Sequence, residues 1–320
     1  MKTLSTLFGS GVAIRNALYD GRIFKVHRLS RPVASIGNIS VGGSGKTPFV
    51  IALGELLKQR GIEFDVLSRG YRRRSQEIAV VDPQGSPEQF GDEPLLIARK
   101  LGVPVVVGAD RYKAGLFAEE KFSSRLHLLD DGFQHRRLHR DFDIVMLPPS
   151  DLHDILLPLG RLREPRSALQ RADAVVISSD MNQQDVELAR KCMKPGASLW
   201  SARRVLEVYQ GITSAVAFCG VARPKQFFEQ LRAMNVAIPA TVAFADHHRY
   251  LQSDIDRLME AQAASGAAGF ITTEKDEINL GSLAGALRPL QVARLRLALD
   301  SVAVAGTLIK TLEQRCGCGF

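Results

Sequence analysis

The chain has 320 residues, 45% of them hydrophobic and 24% charged, which is ordinary for a soluble globular protein of one large or two medium domains. Its net charge of +8 is concentrated: residues 1–31 hold Lys2, Arg15, Arg22, Lys25, Arg28 and Arg31 against Asp20 alone, five of the eight excess positive charges. With 7% aromatics and no basic, aromatic-bearing stripe, that charge marks one surface and speaks against nucleic-acid binding.

Residues 1–20 place Leu4, Leu7, Phe8, Gly11, Ile14 and Leu18 at helical spacing, interrupted by Ser5, Thr6, Ser10, Arg15 and Asn16. The run falls short of the roughly 20 apolar residues that span a bilayer. It fits a basic amphipathic helix at a membrane surface, and equally a helix packed on the domain.

The segment that follows carries the clearest chemistry. A strand at Pro32–Ile36 leads into Val41-Gly42-Gly43-Ser44-Gly45-Lys46-Thr47, and a helix is expected from Pro48 to Arg60. Strand, glycine-rich turn and helix are the context of a phosphate loop: backbone N–H groups from Ser40 to Thr47 cradle a polyphosphate, Lys46 adds a mobile charge, and the Thr47 hydroxyl holds magnesium. The common pattern has glycine where Ser40 stands. Val41 occupies the place of the second lysine of partner-switched ATPases, and Thr273-Glu274-Lys275-Asp276 has its lysine one place too late to read guanine. A small-molecule or lipid kinase using ATP is favoured.

The strand Glu63–Ser68 ends at Arg69-Gly70-Tyr71-Arg72-Arg73-Arg74. Ligands of open α/β sheets bind beyond the carboxyl ends of strands, so Arg69 is a substrate candidate, while Arg72–Arg74 read as a solvated loop. Asp92 and Glu93 open a helix over Leu95–Leu101, where an acidic pair is by itself only a cap. A strand at Val103–Val107 and a helix ending at Phe122 come next. The apolar run Leu126–Leu129 ends in Asp130-Asp131, adjacent acids that suit a magnesium ion some eighty residues after the loop.

Strands at Phe142–Leu147 and Ala174–Ser178 flank the proline-punctuated loop Leu157–Pro165. The alternation predicts an α/β fold, a phosphate-loop-type mainly parallel sheet with helices on both faces. Beyond an extended linker at Val205–Tyr209, strands at Ser214–Cys219 and Gly269–Thr272 with helices at Lys225–Met234 and Ser253–Ala264 predict a smaller C-terminal α/β domain. The expected division is therefore a surface helix in 1–30, a kinase domain in 31–204 and a C-terminal domain in 205–320 that contributes to the active site. Cys192, Cys219, Cys316 and Cys318 lack metal-site spacing, and with no secretory signal a reducing cytoplasm is expected.

Taken together, GNISVGGSGKTP, SRGY, GDEP, LDDGFQH, LPLGRLREP, DHH and TEKD, in that order from residue 32 to about 276, resemble the tetraacyldisaccharide 4'-kinase family of lipid A biosynthesis. Ser40 is no departure within that family. The resemblance implies transfer of the ATP γ-phosphoryl group to the 4'-hydroxyl of an acylated diglucosamine 1-phosphate lipid at the cytoplasmic face of the inner membrane. It further implies ATP and magnesium at Lys46 and Thr47, completed by Asp130 and Asp131. Asp92 becomes the acceptor-side base, with His247 chosen over His248 as its partner, and Arg69, His135 and Glu164 become substrate or metal contacts. It implies a membrane-surface role for the N-terminal helix and no obligate protein partner. The rival readings are an assembly-factor or metallochaperone ATPase and a kinase of a soluble metabolite.

Overall fold

A computed structural model describes every residue except Met1, Arg72, Tyr209, Gln210 and Cys318, and gives the backbone alone for Lys2, Thr3 and Ser301. The sequence readings at Arg72, Tyr209 and Cys318 lie outside the described residues. Helix α1 (Lys2–Asp20) precedes β1 (Val33–Asn38), α2 (Lys46–Gln59), β2 (Phe64–Ser68), β3 (Ala79–Val80), α3 (Pro87–Phe90), α4 (Asp92–Leu101), β4 (Val105–Val107), α5 (Arg111–Lys121), β5 (Leu126–Asp130) and β6 (Phe142–Leu147). Then come α6 (Pro149–Leu152), β7 (Ala174–Ser178), α7 (Gln183–Cys192), β8 (Ser198–Glu207), β9 (Ser214–Cys219), α8 (Pro224–Ala233), β10 (Ala237–Ala243), α9 (Gln252–Ser265), β11 (Gly269–Thr273), α10 (Glu274–Leu280), β12 (Leu290–Leu299) and α11 (Ser301–Cys316).

The strands join in one twelve-stranded sheet, ordered β10-β9-β11-β12-β8-β7-β6-β1-β5-β2-β4-β3. Among the described residues, only the β12–β8 and β3–β4 strand pairs are antiparallel. All six residues of β1 are buried, as expected of a central parallel strand covered on both faces. On one face Phe49, Leu53 and Leu57 of α2 pack with Leu95 of α4 and with Leu308 and Leu312 of α11; on the other, α5 and α7 cover the sheet through Ala114, Ala118 and Ala189. In the C-terminal half, Ile255 and Leu258 of α9 and Phe227 and Phe228 of α8 lie in separate clusters with residues of β9 and β11.

The sequence reading does not include β3, β10, β12, α7, α10 or α11, and the structure departs from it elsewhere too. Val205–Glu207, expected as linker, is the end of β8 and pairs with Arg294–Arg296 of β12, so the two halves are stitched by main-chain hydrogen bonds. The pairing of β10 with β9 shifts register between Ala237 and Ala240, where Pro239 stands, and proline is tolerated there because β10 is the edge strand of the sheet. Arg73, expected in a solvated loop, is 6% exposed, whereas Arg74 is exposed as expected.

Helix α1 is fastened to the body along one side. Ser5 Oγ donates to the Leu156 carbonyl at 2.5 Å, Asn16 Nδ2 to Glu164 Oε2 at 2.9 Å, and Arg136 Nη1 to the Asn16 carbonyl at 3.1 Å. Its other side and the following turn leave Leu7 64%, Ile14 62% and Ile23 70% exposed. No helix among the described residues is long and apolar enough to cross a membrane.

Candidate active site

The phosphate loop is held open by its neighbours. Gly42 and Gly45 have φ of +98° and +90°, values an L side chain rarely adopts, so these turns require glycine. Ser40 has no such requirement: it bridges to Leu162, and its buried hydroxyl donates to Asp151 Oδ2 at 2.5 Å. The Val41 N–H donates to the Arg161 carbonyl at 2.8 Å, tying the loop to the proline-punctuated segment. Lys46 and Thr47 open α2, so the positive end of the helix backs the loop. Lys46 Nζ donates to Asn38 Oδ1 at 3.2 Å and stands 3.4 Å from Asp131 Oδ1.

The two aspartates sit in contrasting surroundings. Asp130, at the end of β5, accepts from Ser68 Oγ at 3.0 Å through Oδ2, while its buried Oδ1 has no hydrogen-bond partner among the described residues. Burial, with the Glu93 and Asp131 carboxylates nearby, raises it to about 7. Asp131, with φ +50°, is gripped through both oxygens by Arg163 at 3.0 and 3.3 Å. Burial works against its charge, yet Lys46 and Arg163 hold its carboxyl far below the usual range. An orphaned buried carboxylate oxygen beside a phosphate loop fits a cation, and Thr47, Asp130 and Asp131 form an oxygen-only donor set of the kind magnesium takes. No group of three or more His, Cys, Asp and Glu able to hold a metal occurs among the described residues. Magnesium does not demand one, since it keeps several waters and phosphate oxygens.

Across the cleft, His247 Nδ1 lies 2.7 Å from Asp92 Oδ2. Gly91, with φ +89° and ψ 149°, makes the sharp entry that sets Asp92 as the first residue of α4. Burial alone would raise Asp92, but His247 and Lys275 lower it; the same hydrogen bond raises His247. Lys275 pairs with Glu93, a second link between α4 and the C-terminal half. His248 faces elsewhere, 2.9 Å from Asp254 Oδ2.

A cavity of about 520 Å³ collects these groups: its lining includes Ser40–Thr47, Arg69, Asp92, Asp130, Asp131, Arg163 and His247. His135 and Glu164 are not on that lining. Glu164 is buried, bonded to Asn16, Gln134 and Arg171 beneath α1. His135 is pushed down to about 4 by burial and the Arg111 cation, and its Nε2 has no hydrogen-bond partner among the described residues. Sequence reasoning missed Arg163, Glu93 and Lys275 as site residues. Arg163 was visible only as one of several basic residues in a loop, and nothing local tied Lys275 to Glu93, 182 positions away.

The model of one protein family, tetraacyldisaccharide-1-P 4'-kinase (LpxK), matches residues 1–314. The chain belongs to the tetraacyldisaccharide 4'-kinase family. A tetraacyldisaccharide 4'-kinase of Koribacter versatilis is 49% identical over 99% of this chain and 100% of its own length, and one of Aquifex aeolicus 40% identical over 86% and 88%. The crystal structure of the "apo" form of LpxK from Aquifex aeolicus in complex with ATP covers 97% of both chains with a TM-score of 0.76 at 34% identity. As a tetraacyldisaccharide 4'-kinase, the chain is a phosphotransferase with an alcohol acceptor, on a fold of the phosphate-loop kinase type.

Proposed function

We propose that the family's reaction runs here as transfer of the γ-phosphoryl group of ATP, seated on Ser40–Thr47, to the 4'-hydroxyl of tetraacyldisaccharide 1-phosphate. The observation that carries the assignment of roles is the 2.7 Å contact between Asp92 and His247, contributed by different halves of the chain to the cavity that the phosphate loop also lines. Lys46 holds the β- and γ-phosphates. Asp92 accepts the proton of the attacking hydroxyl, and the imidazolium of His247 orients it and stabilises its charge before transfer. Thr47, Asp130 and Asp131 would hold magnesium, which when bound neutralises phosphate charge. Arg69, on the exposed rim, meets an anionic part of the acceptor; His135 and Glu164 act under α1, nearer the lipid.

The exposed apolar residues of α1 and the basic residues around them support attachment to the cytoplasmic face of the inner membrane without a spanning helix. The division into 1–30, 31–204 and 205–320 belongs to the same proposal. The third part supplies His247, and its last helix, α11, returns to pack on α2.

The test is incubation of the protein with labelled ATP and the lipid disaccharide monophosphate, followed by chromatography. A doubly phosphorylated lipid is expected, with none from Asp92→Asn. Label released only as free phosphate would reject the acceptor assignment.

A further inference from the structure

Two arginines, Arg204 and Arg223, line the cavity beside the phosphate loop. Arg204 of β8 brings Nη2 to 3.0 Å from the position that a Cβ on Gly45 would occupy. Arg223, just before α8, donates from Nη2 to Ser150 Oγ at 3.2 Å. Among the described residues Arg204 makes one side-chain hydrogen bond, a long one of 3.5 Å from Nη1 to Gln226 Oε1, and no ion pair. Burial and the Arg223 cation both disfavour its charge, and Asp180 offsets only part of that.

The place matters as much as the charge. The main cavity of about 520 Å³ and a second chamber of about 280 Å³ share Ser44, Gly45, Arg204, Arg223 and Gln226 in their walls. Ser44 is only 5% exposed, and its Oγ has no hydrogen-bond partner among the described residues. A partly desolvated guanidinium beside a second one, next to an unpartnered hydroxyl, is a set of donors suited to an anion. A guanidinium fork matches phosphate oxygens, and the adjoining turn presents backbone N–H groups to the same charge.

We propose that Arg204, with Arg223 beside it, is a nucleotide-binding residue: its guanidinium contacts the polyphosphate held at the Gly45 turn, so that β8 as well as the phosphate loop holds the nucleoside triphosphate. This rests on the reading that ATP occupies the loop. Arg204 thereby gives β8 a ligand contact in addition to its role in joining the two halves of the sheet.

The test compares full-length wild type, Arg204→Gln, Arg204→Lys and Arg203→Gln, the last an exposed neighbour on β8. ATP, ADP and AMP binding is measured by calorimetry, and melting is followed with and without ATP. Arg204→Gln is expected to weaken ATP about tenfold to a hundredfold, the loss of one or two charge-assisted hydrogen bonds. AMP should change little, Arg204→Lys should fall between, and Arg203→Gln should match wild type. Without nucleotide, Arg204→Gln should melt at or above the wild-type temperature, because a partly desolvated cation that is only partly offset has gone; a guanidinium with a structural role would do the reverse. Unchanged ATP affinity with a lowered nucleotide-free melting temperature would overturn the inference. Unchanged ATP affinity with a raised KM for the lipid acceptor would do so too, assigning the anion to the acceptor's phosphate. If Lys46→Ala loses ATP while Arg204→Gln keeps it, the arginine contact fails and the nucleotide reading stands; if wild type binds no ATP, both fail.

Discussion

Asp92 and Asp130 are both buried carboxylates, and their neighbours shift them in opposite directions. Asp92 faces a histidine and a lysine, which keep it ionised and able to accept a proton. Asp92→Asn should therefore cut phosphoryl transfer at least about a hundredfold, the scale of a lost general base, while ATP affinity stays within about twofold. Single-turnover transfer and nucleotide titration check the two halves of that statement. Asp130 instead faces carboxylates and leaves one oxygen unpartnered. Asp130→Asn should leave the nucleotide-free protein as stable as wild type or more so, because the repulsion is removed. It should also abolish the extra stabilisation that magnesium adds to ATP, read as the difference in melting temperature with and without the metal.

At the scale of elements, the phosphate-loop side of the sheet is pinned by a buried polar group. His127 of β5 lies opposite Asp65 in the β2–β5 register, with Nδ1 2.7 Å from Asp65 Oδ1 and Nε2 3.5 Å from Glu119 Oε1 of α5. Burial disfavours its cation, but the two carboxylates prevail and raise it to about 9. Because the folded value lies above the unfolded one of roughly 6.5, the stabilisation is complete below that pH and is lost as pH rises through 9. The loss should amount to on the order of 3 kcal/mol. Wild-type melting temperature should fall more steeply between pH 6.5 and 9.5 than that of His127→Gln; parallel curves would show that the histidine is not charged in the fold.

For the whole molecule, the arrangement is a polar cleft past the carboxyl ends of β1, β2 and β5 in a twelve-stranded sheet, with a separate helix, α1, that exposes apolar residues and is followed by a basic segment. A chain lacking residues 1–25 should lose most vesicle association in flotation. Its activity on acylated substrate should drop more than its melting temperature or its ATP affinity. The bonds of Asn16 to Glu164 and of Ser5 to Leu156 make some loss of stability expected, on the order of 1 kcal/mol for each hydrogen bond. A flotation profile matching the full chain would refute the anchor.

The phosphate loop and the Asp130–Asp131 pair could be read from the chain because each is a run of consecutive residues in which local backbone geometry and chemistry coincide. The central parallel strands β1, β2, β4, β5, β6 and β7 were legible for a related reason, since burial on both faces leaves short apolar runs that need no partner to be recognised; β3, β10 and β12, and the reach of β8 to Glu207, were not. Asp92 looked like a helix cap, since its partner His247 lies 155 residues away; only the resemblance singled out both. Arg163 and Lys275 stood in segments that the resemblance quoted, but nothing local singled them out, and Arg204 carried no local mark. Tertiary structure decided what each of them faces, in part because the pairing of β8 with β12 sets where the C-terminal half stands relative to the loop, and a charge acquires meaning only from what it faces and how much water is left around it.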